Sequence, residues 1–284
     1  MAGQAPGGQV SPARAAVLGS PVAHSLSPVL HRAAYAEMGL DDWSYDAFEV
    51  GEDALEGFLA GLDGSWRGLS LTMPLKRVAL SLADSVSDLA AKVGGANTLV
   101  LRDGLRAADN TDVHGIVTAL REAGLDGVAS ALVLGGGATA ASALAALSRF
   151  GVPRVSVAVR SPERAAEAVE VGARFGVSAQ VVRLDEVEGA LPADLVVSTL
   201  PGRAADAFAE PVAASGAALF DVVYAPWPTA LARAVAVAGG RVVGGFEMLL
   251  HQAVRQVVLM TGRDDVPVEA MRAAGEAELA RRSA

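Results

Sequence analysis

The sequence contains no cysteine. A disulfide scaffold, a thiolate nucleophile and a cysteine-held metal are therefore excluded, and the composition fits a reducing compartment such as the cytoplasm. Positive charge is also scarce. Lys and Arg number 23 against 32 Asp and Glu, a formal net charge of −9 that works against nucleic acid or an anionic membrane as a partner. No apolar run approaches a membrane-spanning length. The opening MAGQAPGGQVSP lacks the basic-then-apolar order of a leader and reads as a short disordered tail. Histidines number only 4, without HxxH or HExxH spacing. A metal site can be drawn from His24, His31 and Asp112, but loop histidines are commonly local hydrogen-bonding groups, so no metal is expected.

What is present is core-forming material: 52% of the 284 residues are apolar, enough for one large domain or two smaller ones. Apolar periodicity predicts strands at 15–19, 43–50 and 68–72 and a short hairpin from 99–101 and 105–107. Helices are expected from about Ser27, with Pro28 in its first turn, and at 54–62, 76–81 and 86–93. After the polar run ADNTD, a helix at 113–123 precedes a second series of strands, beginning at Leu132 and continuing at 155–159, 179–182, 195–198, 218–222 and 241–243. Alanine-rich helices separate these strands, which describes a mostly parallel sheet covered on both faces. Helices at 247–261 and 268–280 close the chain. A domain boundary falls near 112. The helices are too short, and too often interrupted by strands, for a coiled coil.

The segment ASALVLG runs into Gly135, Gly136 and Gly137, and then into the helix-forming Ala138, Thr139 and Ala140. The spacing Gly135-x-Gly137-x-x-Ala140 suits a tight turn under a pyrophosphate at a helix N-terminus; an ordinary strand-to-helix junction is the alternative. The following strand, VSVAV, ends at Arg160, where an acidic residue would bind a free ribose 2′-hydroxyl. Arg160, with Ser161 and Arg164 after it, suits a 2′-phosphate instead and points to NADPH, unless the two arginines are simply solvated. Ser198 and Thr199 end a further strand, where they could line the nicotinamide side or cap the next helix.

In the first half, Ser25, Ser27, Thr72, Lys76, Asn97 and Asp112 fall at loop positions and suit a small, oxygen-rich ligand. Lys76 stands near a helix start, where positive charge is mildly disfavoured, so a carboxylate partner is expected, and Asp112 is the best candidate.

Taken together, GSPVAHSLSPVLH, SLTMPLK, GGANTLV, ADNTDVHG, the GGGATA turn, DVVYAPWPT and GGFEMLLHQ resemble the shikimate dehydrogenase family, from about 15 to 262. The resemblance implies a two-domain α/β fold: an N-terminal α/β substrate domain (1–112), a Rossmann-like dinucleotide-binding domain with a parallel sheet (113–244), and C-terminal helices (245–284) returning to the first domain. It implies reversible, NADPH-dependent reduction of 3-dehydroshikimate to shikimate, in aromatic amino-acid biosynthesis by way of chorismate. Lys76 and Asp112 would be catalytic. Ser25 and Ser27 would hold the substrate carboxylate, and Ser70, Thr72, Asn97 and Gln252 the ring hydroxyls or the reacting oxygen. Tyr224 would approach from the cofactor domain. The cofactor would lie against the glycine turn and the arginine pair, with Thr199, Val222, Gly245 and Met248. Ser70 replaces the family's commoner asparagine, Val159 the asparagine before the arginine, and Ala138 a glycine. Quinate or aminoshikimate dehydrogenases of the same family, and a non-catalytic dinucleotide-binding sensor, are the alternative readings. Both monomer and homodimer are compatible with the family.

Overall fold

The computed structural model describes residues 12–283, and the expected N-terminal tail and the side chain of Arg164 lie outside what it describes. The first half contains β1 (Ala13–Gly19), α1 (Ser27–Glu37), β2 (Trp43–Glu49), α2 (Glu52–Ala60), β3 (Trp66–Leu71), α3 (Val78–Leu82), β4 (Ser85–Val86), α4 (Asp88–Val93), β5 (Thr98–Arg102) and β6 (Leu105–Asp109). Then come α5 (Asp112–Glu122), β7 (Ser130–Leu134), α6 (Ala138–Arg149), β8 (Arg154–Val159), α7 (Ala166–Arg174), β9 (Ala179–Arg183), β10 (Leu195–Ser198), α8 (Ala209–Ser215), β11 (Ala218–Asp221), α9 (Ala230–Val237), β12 (Val242–Gly244), α10 (Gly245–Thr261) and α11 (Val268–Ser283). Among the described residues no helix is long and apolar enough to cross a membrane.

The strands build two six-stranded sheets. The first, β2-β1-β3-β5-β6-β4, is parallel across β2-β1-β3; β5 runs antiparallel to both β3 and β6, and β4 pairs parallel to β6. The second, β12-β11-β10-β7-β8-β9, is parallel throughout. Its order reverses at β7, so β7 and β10 flank the crevice at their carboxyl ends where open α/β sheets take ligands. Every residue of β7 is buried, as expected for a strand covered on both faces.

Some boundaries differ from expectation. The helix expected at 86–93 starts at Asp88, because the Ser87 hydroxyl caps it by accepting from the Ala90 N–H while Val86 pairs with Ala108 in the sheet. The helix expected from 76 starts at Val78, and 72–76 form a turn closed by Leu75 N–H to the Thr72 carbonyl. Lys76 therefore sits on a turn.

Helix α10 carries the chain from the second sheet back across α5. Gly115 permits that crossing, since a Cβ there would lie 2.5 Å from the Met248 carbonyl oxygen and 3.0 Å from Gln252 Cβ. The close approach brings Gln252 next to the start of α5 and hence to Asp112. Helix α11 then packs on α1 through Gly275, whose missing side chain leaves room for Phe246 and Leu30.

Candidate active site

A cavity of about 230 Å³ lies between the two sheets and gathers Ser25, Ser27, Ser70, Thr72, Lys76, Asn97, Asp112, Tyr224 and Gln252, together with Thr139, Val222, Gly245 and Met248. Larger hollows of about 680 and 610 Å³ lie elsewhere, against Trp43 and Trp66 and against Pro226 and Pro228, and neither holds any of these residues.

The Lys76 ammonium donates to Asp112 Oδ2 at 2.6 Å, and the two side chains are only 18% and 6% exposed. Asp112 opens α5, and its other oxygen accepts from Asn97 Nδ2 at 2.9 Å. Asn97 is engaged on both sides of its amide. Its Oδ1 accepts from the Thr111 N–H and the Thr98 hydroxyl, while its Nδ2 faces Thr111 Oγ1, Asp112 Oδ1 and Gln252 Oε1. Three acceptors face two N–H bonds, so one acceptor must be left over. The longest of the three contacts is the 3.1 Å to Gln252 Oε1, whose other contact, from the Thr111 hydroxyl, is a long 3.4 Å, so Gln252 Oε1 is the acceptor held most weakly.

At the other end of the cavity Ser25 and Ser27 straddle the start of α1, with Ser25 Oγ accepting from the Ser27 N–H at 3.2 Å. Burial pushes the Tyr224 phenol up from its ordinary value. Ser70, at the floor, donates to Gln256 Oε1 at 2.8 Å and accepts from the Tyr45 hydroxyl at 2.6 Å. Only one lone pair of its oxygen remains for a ligand.

The glycine turn follows β7. Gly135 has φ +110°, and a Cβ there would meet Thr199 Oγ1 at 2.5 Å, so this position needs glycine. Nothing lies within 4 Å of where a Gly137 Cβ would be, and no side chain among the described residues caps α6. The first N–H groups of α6 beyond Gly136, at Gly137, Ala138, Thr139 and Ala140, thus open onto free space, which fits a pyrophosphate. Arg160 stands exposed just past β8, with Ser161 beside it and no carboxylate at the ribose-reading position. Thr199 caps no helix; its hydroxyl donates to the Leu134 carbonyl at 2.9 Å and ties β10 to the turn.

Comparison with known proteins places this geometry. The shikimate dehydrogenase substrate binding domain matches residues 17–99, the shikimate 5′-dehydrogenase C-terminal domain 245–274, and the saccharopine dehydrogenase NADP binding domain 131–243. The shikimate dehydrogenase (NADP(+)) of Caulobacter vibrioides is 38% identical over 92% of this chain and 95% of its own length. The crystal structure of Mycobacterium tuberculosis shikimate dehydrogenase is 44% identical, with a TM-score of 0.87 over 94% of this chain and 100% of that one. The chain belongs to the shikimate dehydrogenase family. The Thermus thermophilus enzyme, solved with NADP(H) and shikimate, is 34% identical with a TM-score of 0.81, covering 93% of this chain and 99% of that one.

Within this shikimate dehydrogenase fold, sequence reasoning missed the layer beneath the cavity. Gln256 lies one turn after Gln252 on the inward face of α10, a spacing that could have revealed it. Its Nε2 donates to the Asn97 carbonyl and the Thr98 hydroxyl, and its Oε1 meets Ser70 and, at 3.4 Å, His31. Tyr45 stacks on His31 with ring centroids 4.0 Å apart. No local pattern announces that pairing of β2 with α1. Burial drags the His31 imidazole down to about 3, so it is neutral and serves as a hydrogen-bonding group. His251 approaches Glu122 and Glu247, but Arg272 pairs with both carboxylates and answers their charge.

Proposed function

We propose that the chain catalyses the NADPH-dependent, reversible reduction of 3-dehydroshikimate to shikimate, and that it does so in the cytoplasm as part of aromatic amino-acid biosynthesis. The observation that carries this reading is the Lys76–Asp112 pair, 2.6 Å apart, in a cavity that also includes Thr139 from the helix beneath the glycine turn. NADPH, when bound, supplies the hydride that reduces the C3 carbonyl.

The chain's own residues would do the rest. Ser25 and Ser27 donate to the substrate carboxylate, and Tyr224 closes over it. Thr72, Gln252 and the remaining lone pair of Ser70 hold ring hydroxyls. The Lys76 ammonium faces the oxygen on which negative charge develops and donates its proton there; in the oxidative direction the neutral amine takes the proton back. Asp112 aims the ammonium, and Asn97 holds Asp112 in place. Gly135, Gly136 and Gly137 with Ala138, Thr139 and Ala140 cradle the pyrophosphate. Arg160, Ser161 and Arg164 read the 2′-phosphate, while Thr199, Val222, Gly245 and Met248 line the nicotinamide side.

On this reading residues 1–112 and 245–284 serve the substrate and 113–244 the cofactor, as the return of α10 onto α5 and of α11 onto α1 supports. One chain supplies every residue named, so a monomer or a homodimer serves equally. The net charge of −9 argues against nucleic acid as a partner. The test is oxidation of NADPH by purified protein with 3-dehydroshikimate, with NADH in parallel. Rapid turnover with NADPH is expected. Folded protein that binds NADPH yet leaves 3-dehydroshikimate untouched would overturn the assignment.

A further inference from the structure

At the carboxylate end of the cavity Ser25, Ser27 and Tyr224 offer hydroxyl donors but no cation. Lys76 is matched by Asp112, and the serines and Tyr224 are neutral. The last turn of α11, beyond the 245–274 matched by the family's C-terminal domain, brings one. Arg282 Nη1 donates to the His24 carbonyl at 2.5 Å and Nη2 reaches the Ser25 carbonyl at 3.4 Å. It thus grips the loop whose side chains line the cavity. Its Nε donates to Glu278 at 2.7 Å, but Glu278 also takes both ends of the Arg281 fork. Two guanidiniums against one carboxylate leave the cluster with one net positive charge. The two arginines hold the Glu278 carboxyl down at about 2, so it stays ionised and the count holds at any working pH. The charge also reaches the site: the Arg282 guanidinium opposes the upward push of burial on the Tyr224 phenol.

We infer that Arg282 is a positioning residue for the carboxylate end of the substrate site, pinning the Ser25 loop through two backbone carbonyls while it shares the single Glu278 carboxylate with Arg281. The ligand class is a small carboxylate, and the inference rests on the function proposed above. Arg282 touches no reacting atom, so its removal should act on KM for the acid and leave kcat and cofactor binding alone.

The experiment is steady-state oxidation of shikimate by the wild type and by Arg282→Met, which keeps the apolar stem, and Arg282→Lys, which keeps the charge. Arg282→Met should raise KM for shikimate at least about fivefold, the scale of one partly exposed charge-assisted contact, with KM for NADP+ unchanged. Arg282→Lys should recover part of the loss. The ratio of variant to wild-type KM should shrink between about 10 mM and about 1 M salt, as the screening length falls from about 30 to about 3 Å. A purely structural tie between α11 and the loop would give a ratio that salt does not move, or would raise both KM values together, and either result overturns the inference. So does an unchanged KM. Should Arg282→Met melt early, Arg282→Gln takes its place with the same readings. Wild-type protein that does not oxidise shikimate removes the proposed function itself, a result distinct from failure at Arg282 alone.

Discussion

Replacing Lys76 by methionine removes the proposed proton donor and nearly preserves its volume, so it separates chemistry from packing. Proton transfer by a positioned side chain contributes about 100-fold or more, so kcat should fall at least that far, equivalent to about 2.7 kcal/mol of transition-state stabilisation. Dinucleotide affinity should nearly hold, because Gly135, Gly136, Gly137 and Arg160 do not share the cavity with Lys76, although Thr139, Val222, Gly245 and Met248 do. Stability responds as well. At an effective dielectric of about 20, charges 2.6 Å apart attract by about 6 kcal/mol, most of it offset by their desolvation. Removing one partner of a buried pair costs about 3–5 kcal/mol. Lys76 retains 18% exposure and Asp112 keeps its bond from Asn97, so the low end, about 3 kcal/mol, is expected here.

The double variant Lys76→Met/Asp112→Asn then decides between explanations. It removes the stranded carboxylate, so it should be more stable than Lys76→Met alone while turning over no faster. Stopped-time assays of shikimate oxidation, fluorescence titration with NADPH and urea unfolding of wild type, Lys76→Met, Asp112→Asn and the double variant give the full cycle. Turnover of Lys76→Met within about twofold of wild type would refute the proton-donor argument. A double variant less stable than the single one would refute the electrostatic account of the pair.

Arg160→Ala should raise KM for NADPH by roughly tenfold or more and leave KM for NADH nearly unchanged, since only the former carries a 2′-phosphate; equal effects on the two cofactors would remove the clamp. Tyr45→Phe leaves the buried Ser70 oxygen without its donor, so a loss of about 1–3 kcal/mol in urea unfolding is expected, with a higher KM for shikimate but not for NADP+. Unchanged stability and KM would show that this bond holds nothing in place. His31 gives a pH signature. Its folded value near 3 lies below the unfolded value of about 6.5, so its contribution is full above pH ~6.5 and is lost as pH falls toward 3. At pH 4.5 most of that contribution is lost, and His31→Gln should flatten that slope; equal slopes in variant and wild type would contradict it.

The features legible in the sequence are those whose physics is local. Gly135 needs a positive φ at a fixed offset from a buried strand, and the sequence states both conditions within a few residues. The parallel second sheet follows from apolar runs separated by helical ones, though not the reversal of strand order at β7 that opens the crevice. Periodicity misplaces the start of α4 because the apolar pattern continues through Val86, and a single Ser87 hydroxyl sets the boundary. Tyr45, His31 and Arg282 are hidden for another reason. Each acts on the site through a contact made by distant chain: Tyr45 through Ser70, 25 residues away, and Arg282 through His24, 258 residues away.

That division also explains how the site is assembled. Asp112 is fixed on α5 and Lys76 on a turn after β3, yet neither element alone sets the distance between them. Asn97 does so from the entry to β5, since its amide holds Asp112 and its carbonyl accepts from the Leu71 N–H at the end of β3. Gln256 on α10 secures the same carbonyl at 3.0 Å, and α10 can reach it only because Gly115 lets the helices meet. The Lys76–Asp112 pair is therefore tied, through Asn97, to the return of the chain from the second sheet. A chain of direct hydrogen bonds thus runs from Gln252 on α10 through Asn97 to Asp112 and Lys76.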